Sequence, residues 1–506
     1  MKKYFIAVVS LFLILGSLTV VLADNDTKNI EEDEEIFKLG VDVLLDDEKE
    51  LIEDKRVGLI TNPTGVDQEL NSIVDRLHHD PDVELTALYG PEHGVRGDAQ
   101  AGEYVEYYID DVTGLPVYSL YGETRKPTPG MLEDVDVLLF DIQDVGARFY
   151  TYIYTMAYAM EAAQENDIEF IVLDRPNPLS GYHVEGPVLD EEYASFVGNY
   201  PIPLKHGMTV AELAHLFNEE FDIGADLTTV EMTGWERGMY YDDTGLEFVL
   251  PSPNMPTLDT ALVYPGAALF EGTNVSEGRG TVKPFELIGA PFVDSTEFAG
   301  ILNNLELPGV TFRAASFTPT FSKHSGELSH GVQIHITDME NYEAVETGLH
   351  VVKTLHDMYP EDFEFRAEDE QGISFFDQLI GNGWIREAIE NGESVESMVE
   401  TWQDDLNSFK DVRRDYLIYK MNIEDLESSL HDLEETGDID EQAMRKLTMH
   451  VTALNQFENR DAADKMQKHL EGMLLLLDQQ NNKNLITDKA YNILKHDTES
   501  LLKQWE

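Results

Sequence analysis

Cysteine is missing from all 506 residues. That excludes a disulfide framework, a thiolate zinc site and a lipid-modified cysteine anchor, and leaves packing, alone or with a bound ion, to hold the fold. Basic side chains are scarce: 35 Lys and Arg against 98 Asp and Glu give a formal charge of −63, with the acids spread along the chain. Such a field repels polyanions and tells against a nucleic-acid partner. It suits a surface adapted to high salt, where screening shortens the reach of like-charge repulsion. The chain also lacks a G-x-S-x-G elbow, an H-E-x-x-H pair, a G-x-G-x-x-G turn after a strand and a Walker loop. A typical serine esterase, a nicotinamide enzyme and a P-loop enzyme lose their support, and with them a nucleotide cofactor.

What is present begins with Lys2 and Lys3, an apolar stretch over residues 5–22, and Val21-Leu22-Ala23 ahead of Asp24. This is the pattern of an export signal over residues 1–23, which meets a membrane only in transit and leaves a secreted or wall-associated protein. Residues 24–36 hold seven acids within 24–35 and read as a disordered leader. The length suggests two to four domains.

Four apolar runs end abruptly in polar loops. Val57-Gly58-Leu59-Ile60 meets Thr61-Asn62-Pro63, and Leu85-Thr86-Ala87-Leu88-Tyr89 meets Gly90-Pro91-Glu92-His93-Gly94. Val137-Leu138-Leu139-Phe140 meets Asp141-Ile142-Gln143-Asp144, and Phe170-Ile171-Val172-Leu173 meets Asp174-Arg175-Pro176-Asn177. Runs this apolar read as strands buried on both faces, and helical spacing between them (Leu70, Ile73, Val74, Leu77; then Ile153, Met156, Met160) predicts a βαβ alternation and a doubly wound parallel sheet. Ligands in such sheets sit beyond the carboxyl ends of the strands. If the four strands are neighbours, Asn62, Glu92, His93, Asp141, Gln143, Arg148, Asp174, Arg175 and Asn177 share one rim. A capping box at Thr209 and Glu212 starts a further helix, with His206 just before it. The first domain is expected over residues 37–256, ending at Pro251, Pro253 and Pro256.

Residues 257–420 read as a smaller α+β domain roofing that rim. It opens with the polar, glycine-rich stretch Glu271-Gly272-Thr273-Asn274-Val275-Ser276-Glu277-Gly278-Arg279-Gly280. Residues 421–438 read as a linker, and residues 439–506 as a bundle of three amphipathic segments with turns at 459–461 and 479–484. The site inventory is carboxylate, amide, tyrosine and arginine on loops, the set used to bind and cleave sugars. Glu92, between a strand end and Gly94, suits a general acid or a turn cap. His93 reads as structural, and Asp141 divides evenly between a substrate hydroxyl and loop N–H groups. Arg148 divides between an anionic substrate group and Asp144. Tyr150, Tyr152 and Tyr154 read as core, with one free to line a sugar platform.

These stretches, together with Val184-Glu185-Gly186-Pro187-Val188-Leu189 and Pro251-Ser252-Pro253-Asn254, resemble the NamZ family of exo-β-N-acetylmuramidases, glycoside hydrolase family 171, over about residues 39–420. The resemblance implies release of N-acetylmuramic acid from the non-reducing end of peptidoglycan fragments without a cofactor. It also implies a Rossmann-like domain plus a smaller one with the cleft between them. Residues 439–506 resemble the FIMAH domain. Glu92 is expected to protonate the leaving oxygen. Glu185 is expected as the second carboxylate, ahead of Asp141, Glu271 and Glu277, and one of Arg148, Arg175 and Arg279 as the partner of the lactyl carboxylate. The rivals are a wall-binding protein without turnover and a hydrolase of another acidic amino sugar.

Overall fold

In the computed structural model, which describes residues 37–97, 106–419, 422–458, 460 and 462–505, the four apolar runs become adjacent strands of one sheet. The expected export signal and acidic leader, and part of the 459–461 turn, lie outside the described residues. In chain order the strands are β1 (Arg56–Thr61), β2 (Glu84–Gly90), β3 (Tyr108–Ile109), β4 (Pro116–Ser119), β5 (Val137–Asp141) and β6 (Glu169–Leu173). A separate hairpin of β7 (Glu185–Val188) and β8 (Pro203–Lys205) precedes β9 (Leu227–Val230). The sheet runs β3-β4-β2-β1-β5-β6-β9, parallel throughout except for the antiparallel edge pair of β3 and β4.

Both faces are covered, as the apolar runs require. On β5, Leu138 and Phe140 enter one core with α3 (Tyr152–Glu165) and α4 (Val210–Glu220). Val137 and Leu139 point the other way, into a second core shared with α1 (Gly40–Asp46) and α2 (Ile73–His79). The period-two pleat of the strand makes that division. The capping box of Thr209 and Glu212 forms as expected. Leu70 does not join its helix: it sits in the preceding turn with φ of 65° and is exposed.

The second region comprises α5 (Leu258–Ala267), β10 (Leu287–Ala290), α6 (Ser295–Asn303), β11 (Val310–Phe317), β12 (Ser329–Ile336) and α7 (Ala344–Met358). Its three strands form an antiparallel sheet in the order β10-β12-β11. Then come α8 (Phe375–Ile380), α9 (Trp384–Glu390) and α10 (Val395–Arg413). Leu262, Val332, Leu349 and Phe376 belong to the same apolar core as Phe140 and Phe217, so the two regions share one interior. At the crossing of α5 and α7 a Cβ on Gly266 would lie 2.0 Å from the Ala344 carbonyl oxygen, so the helices meet backbone to backbone.

The expected linker is a helix. Ile423, Leu426, Leu430 and Leu433 recur at helical spacing on α11 (Ile423–Glu435) and are buried with α12 (Glu441–Glu458), α13 (Ala463–Asn481) and α14 (Asp488–Trp505) in a core of their own. The terminal bundle therefore has four helices. Acidic residues between the leucines gave the segment a linker's composition while its apolar stripe met the bundle. Among the described residues no helix is long and apolar enough to cross a membrane.

Candidate active site

Beyond β2 the chain turns through Pro91-Glu92-His93-Gly94, with His93 and Gly94 both at positive φ, 75° and 74°. The turn buries His93 and leaves Glu92 half-exposed. Three elements bring tyrosines to that carboxyl. Tyr121, past β4, has its hydroxyl pushed up to about 12 by burial and then by the Glu92 charge, with which it also hydrogen-bonds. Tyr152, at the start of α3, donates to the Pro251 carbonyl at 2.6 Å and is raised by burial and again by Glu92. Tyr150 is raised in the same way, by burial ahead of its neighbours Tyr152, Tyr264 and Glu92.

Tyr264 on α5 carries the neighbourhood into the second region. Tyr150 meets Tyr152 edge-on at 5.0 Å and Tyr264 at 5.7 Å, and Tyr264 meets Phe285 at 4.8 Å. Beyond the rings lies a charged group. Arg279 stands 3.2 Å from Glu271 and 3.4 Å from Glu277, with its guanidinium 5.1 Å above the Phe285 ring. Lys323 donates to Glu277 at 2.8 Å and to the carbonyls of Phe270 and Val275. Burial raises the Glu271 carboxyl, Arg279 pulls it back, and Glu277 raises it again. After burial, the charges of Glu271, Arg279 and Glu92 all act on the Tyr264 hydroxyl. The arrangement is two half-exposed carboxyls on different elements, aromatic walls between them and a cation at one end. That suits acid–base work on a sugar ring.

Family models match most of the chain. Residues 57–259 match the model for the N-terminal part of exo-β-N-acetylmuramidase NamZ, residues 262–419 that for its C-terminal part, and residues 423–503 the FIMAH domain. A peptidoglycan β-N-acetylmuramidase NamZ of Bacillus subtilis is 62% identical over 419 residues, 83% of this chain and all of that protein. The chain belongs to the NamZ family. Two DUF1343 family proteins of Bacteroides fragilis share the fold: one with TM-score 0.70 and 43% identity, the other with 0.61 and 32%, each covering 76% of this chain and 99% of its own.

Several rim residues expected to touch substrate are occupied by the NamZ fold itself. Asp141 takes the Arg175 guanidinium at 2.5 and 2.9 Å, both residues fully buried, and Arg175 also donates to the Val66 carbonyl. Asp174 accepts the N–H groups of Arg175 and Ala211 and the Tyr419 hydroxyl, and burial raises its carboxyl to about 7. Asn177 spans Leu179 N–H and the Met208 carbonyl, and Gln143 donates to the carbonyls of Asp144 and Pro176. Arg148 has no exposure and holds the carbonyls of Pro187, Ile202 and Leu379 at 3.0, 3.0 and 2.8 Å. Its expected partner Asp144 instead accepts the Gly146 N–H, with His206 Nε2 at 3.2 Å.

Glu185 belongs to another cluster. One oxygen accepts from Lys205 at 2.8 Å and the other from the Val345 N–H at 3.1 Å, and its charge, ahead of burial, pushes Glu343 up to about 8. The expected second carboxylate is thus held by the start of α7, in a different set of neighbours from Glu92. Asn274 clasps Asp362 and Glu364. Asn62 accepts from Thr64, and its amide bears on the Tyr152 hydroxyl. Of the expected residues, Glu92, Asn62, Glu271, Glu277 and Arg279 converge on the tyrosines. Tyr121, Tyr264 and Lys323 join them without any signal in the sequence. Lone tyrosines and lysines far apart in sequence carry no spacing signal, and only the fold assembles them.

Proposed function

We propose that this glycosidase is exported and releases N-acetylmuramic acid from the non-reducing end of peptidoglycan fragments; its Bacillus subtilis relative is named a peptidoglycan β-N-acetylmuramidase. Glu92 gives its proton to the leaving oxygen, and Glu271, in place of Glu185, is the second carboxylate, acting on the sugar or on its attacking water. Arg279, half-exposed where Arg148 and Arg175 are buried, meets the lactyl carboxylate, as a planar guanidinium does well. The observation that carries this reading is the single neighbourhood through Tyr264 that joins Glu92 to Glu271 and Arg279.

A reversed assignment, Glu271 as acid and Glu92 as base or nucleophile, is favoured by one fact: burial raises the Glu271 carboxyl. Leaving-group dependence separates the two. A nitrophenyl muramide needs no proton on its leaving group, whereas a muramyl disaccharide does. With Glu92 as the acid, Glu92→Gln loses about 10²- to 10⁴-fold on the disaccharide and far less on the nitrophenyl substrate, while Glu271→Gln loses on both. The opposite pattern reverses the roles, and full activity in both variants rejects the site. No release by the unaltered protein of muramic acid, or of another acidic amino sugar, would leave a wall-binding role. Recovery of a chain beginning near Asp24 from the culture medium tests the export.

A further inference from the structure

A cavity of about 540 Å³ lies between the β7–β8 hairpin, the end of α4, α9 and α10. None of the residues grouped around Glu92 lines it. Its size is that of small-ligand sites in general. Trp384 and Trp402 supply aromatic wall from two different helices, and Phe221 and Phe409 continue it. Trp402 is 4% exposed, held in place by the core behind it, while Trp384 is half-exposed.

The polar groups have a definite character. Asn382 is 4% exposed; its Oδ1 accepts the Ile385 N–H at 3.1 Å, and its Nδ2 is buried without a hydrogen-bond partner. An unsatisfied buried donor is costly, and a turn of the amide that brought Nδ2 to a ligand acceptor in the cavity would relieve it. On the exposed rim stand Asp190, Glu220 and Asp405, with no Lys or Arg lining the cavity. The site therefore has apolar ring faces, three acceptor carboxylates and, once the Asn382 amide turns, a donor.

We infer that this cavity is a second saccharide site, taking an uncharged N-acetylated hexosamine unit. Carbohydrate chemistry matches each wall: the C–H faces of the ring lie on the indoles, an acetamido carbonyl accepts from Asn382, and hydroxyls donate to the rim carboxylates. A muramyl sugar, with its own carboxylate, is repelled by the same three acids. The site thus holds the sugar that the proposed Glu92 chemistry does not select. The inference stands independently of which bond Glu92 cleaves.

Calorimetric titration of the full chain with N,N′-diacetylchitobiose tests this. Saturable binding is expected, unchanged in Glu92→Gln, weakened about tenfold or more in Trp384→Ala and in Asn382→Leu, and much weaker for N-acetylmuramic acid. Nitrophenyl muramide turnover of both cavity variants should match the parent, which separates a lost ligand from a lost fold, while Asn382→Leu also gives up the Ile385 cap and melts somewhat earlier. Absence of binding overturns the inference, as does binding that Glu92→Gln abolishes or that Trp384→Ala and Asn382→Leu leave untouched. Saturation by benzyltrimethylammonium but not by chitobiose would also overturn it, assigning the cavity to a cation instead.

Discussion

Arg148 and Arg279 look alike as hooks for a sugar's carboxylate, and only their surroundings separate them. Arg148 sits one turn from a polar loop, but its guanidinium is consumed by carbonyls at residues 187, 202 and 379. Partners so distant in sequence are not legible from spacing, and the same holds for Arg175 on Asp141, Tyr419 on Asp174, Met208 on Asn177 and Lys205 on Glu185. The sequence places a residue on the rim, but whether its valences are already filled is decided by the fold. Replacing Arg148 with Met should destabilise the protein by about 3 kcal/mol or more, since it strands three buried carbonyls; chemical denaturation reads this directly. Arg279→Met should erase the preference for a muramide over the matching glucosaminide and lower the melt, because it takes the cation from Glu271 and Glu277. Unchanged selectivity would remove Arg279 from the substrate.

Among the elements, the central strands were the most legible, because strands covered on both faces must be apolar along their whole length, as residues 137–140 are. Helix α11 was illegible for the opposite reason: its stripe of Ile423, Leu426, Leu430 and Leu433 is diluted by acids, and composition masked periodicity. Leu430→Ala should cost the terminal bundle about 2 to 5 kcal/mol, seen as an earlier melt of that bundle with muramidase activity intact. The α5–α7 crossing is less forgiving. A methyl on Gly266 collides with the Ala344 carbonyl, so Gly266→Ala should lower the melting temperature of the catalytic part and displace Tyr264, three positions from the end of α5.

Across the whole molecule, charge sets the conditions under which it is stable. Burial, as the largest cause, raises Asp42 and Asp497 to about 6 and Asp174 and Asp425 to about 7. A carboxyl raised on folding penalises the folded state above its folded pKa, and that penalty is relieved as pH falls toward its unfolded value. Asp110 works in reverse: its hydrogen bond to Arg96 lowers it to about 2, so its stabilisation is lost as pH falls through the range from its unfolded value to that one. The melting temperature should therefore rise as pH falls from neutral, peak at roughly pH 4 and decline below it. With a formal charge of −63, added potassium chloride should raise the melt at neutral pH; a melt highest in dilute buffer would contradict this. Finally, the Tyr419 hydroxyl reaches back to Asp174 at the end of β6, and Arg413 to the carbonyls of Gly181 and Gly207. The last residues before the bundle thus act as a latch on the opening sheet. Trimming the chain just past Tyr419 should yield a sound catalytic half. Trimming it a handful of residues earlier should leave Asp174 buried without its hydroxyl partner, and a sheet weakened at the end of β6.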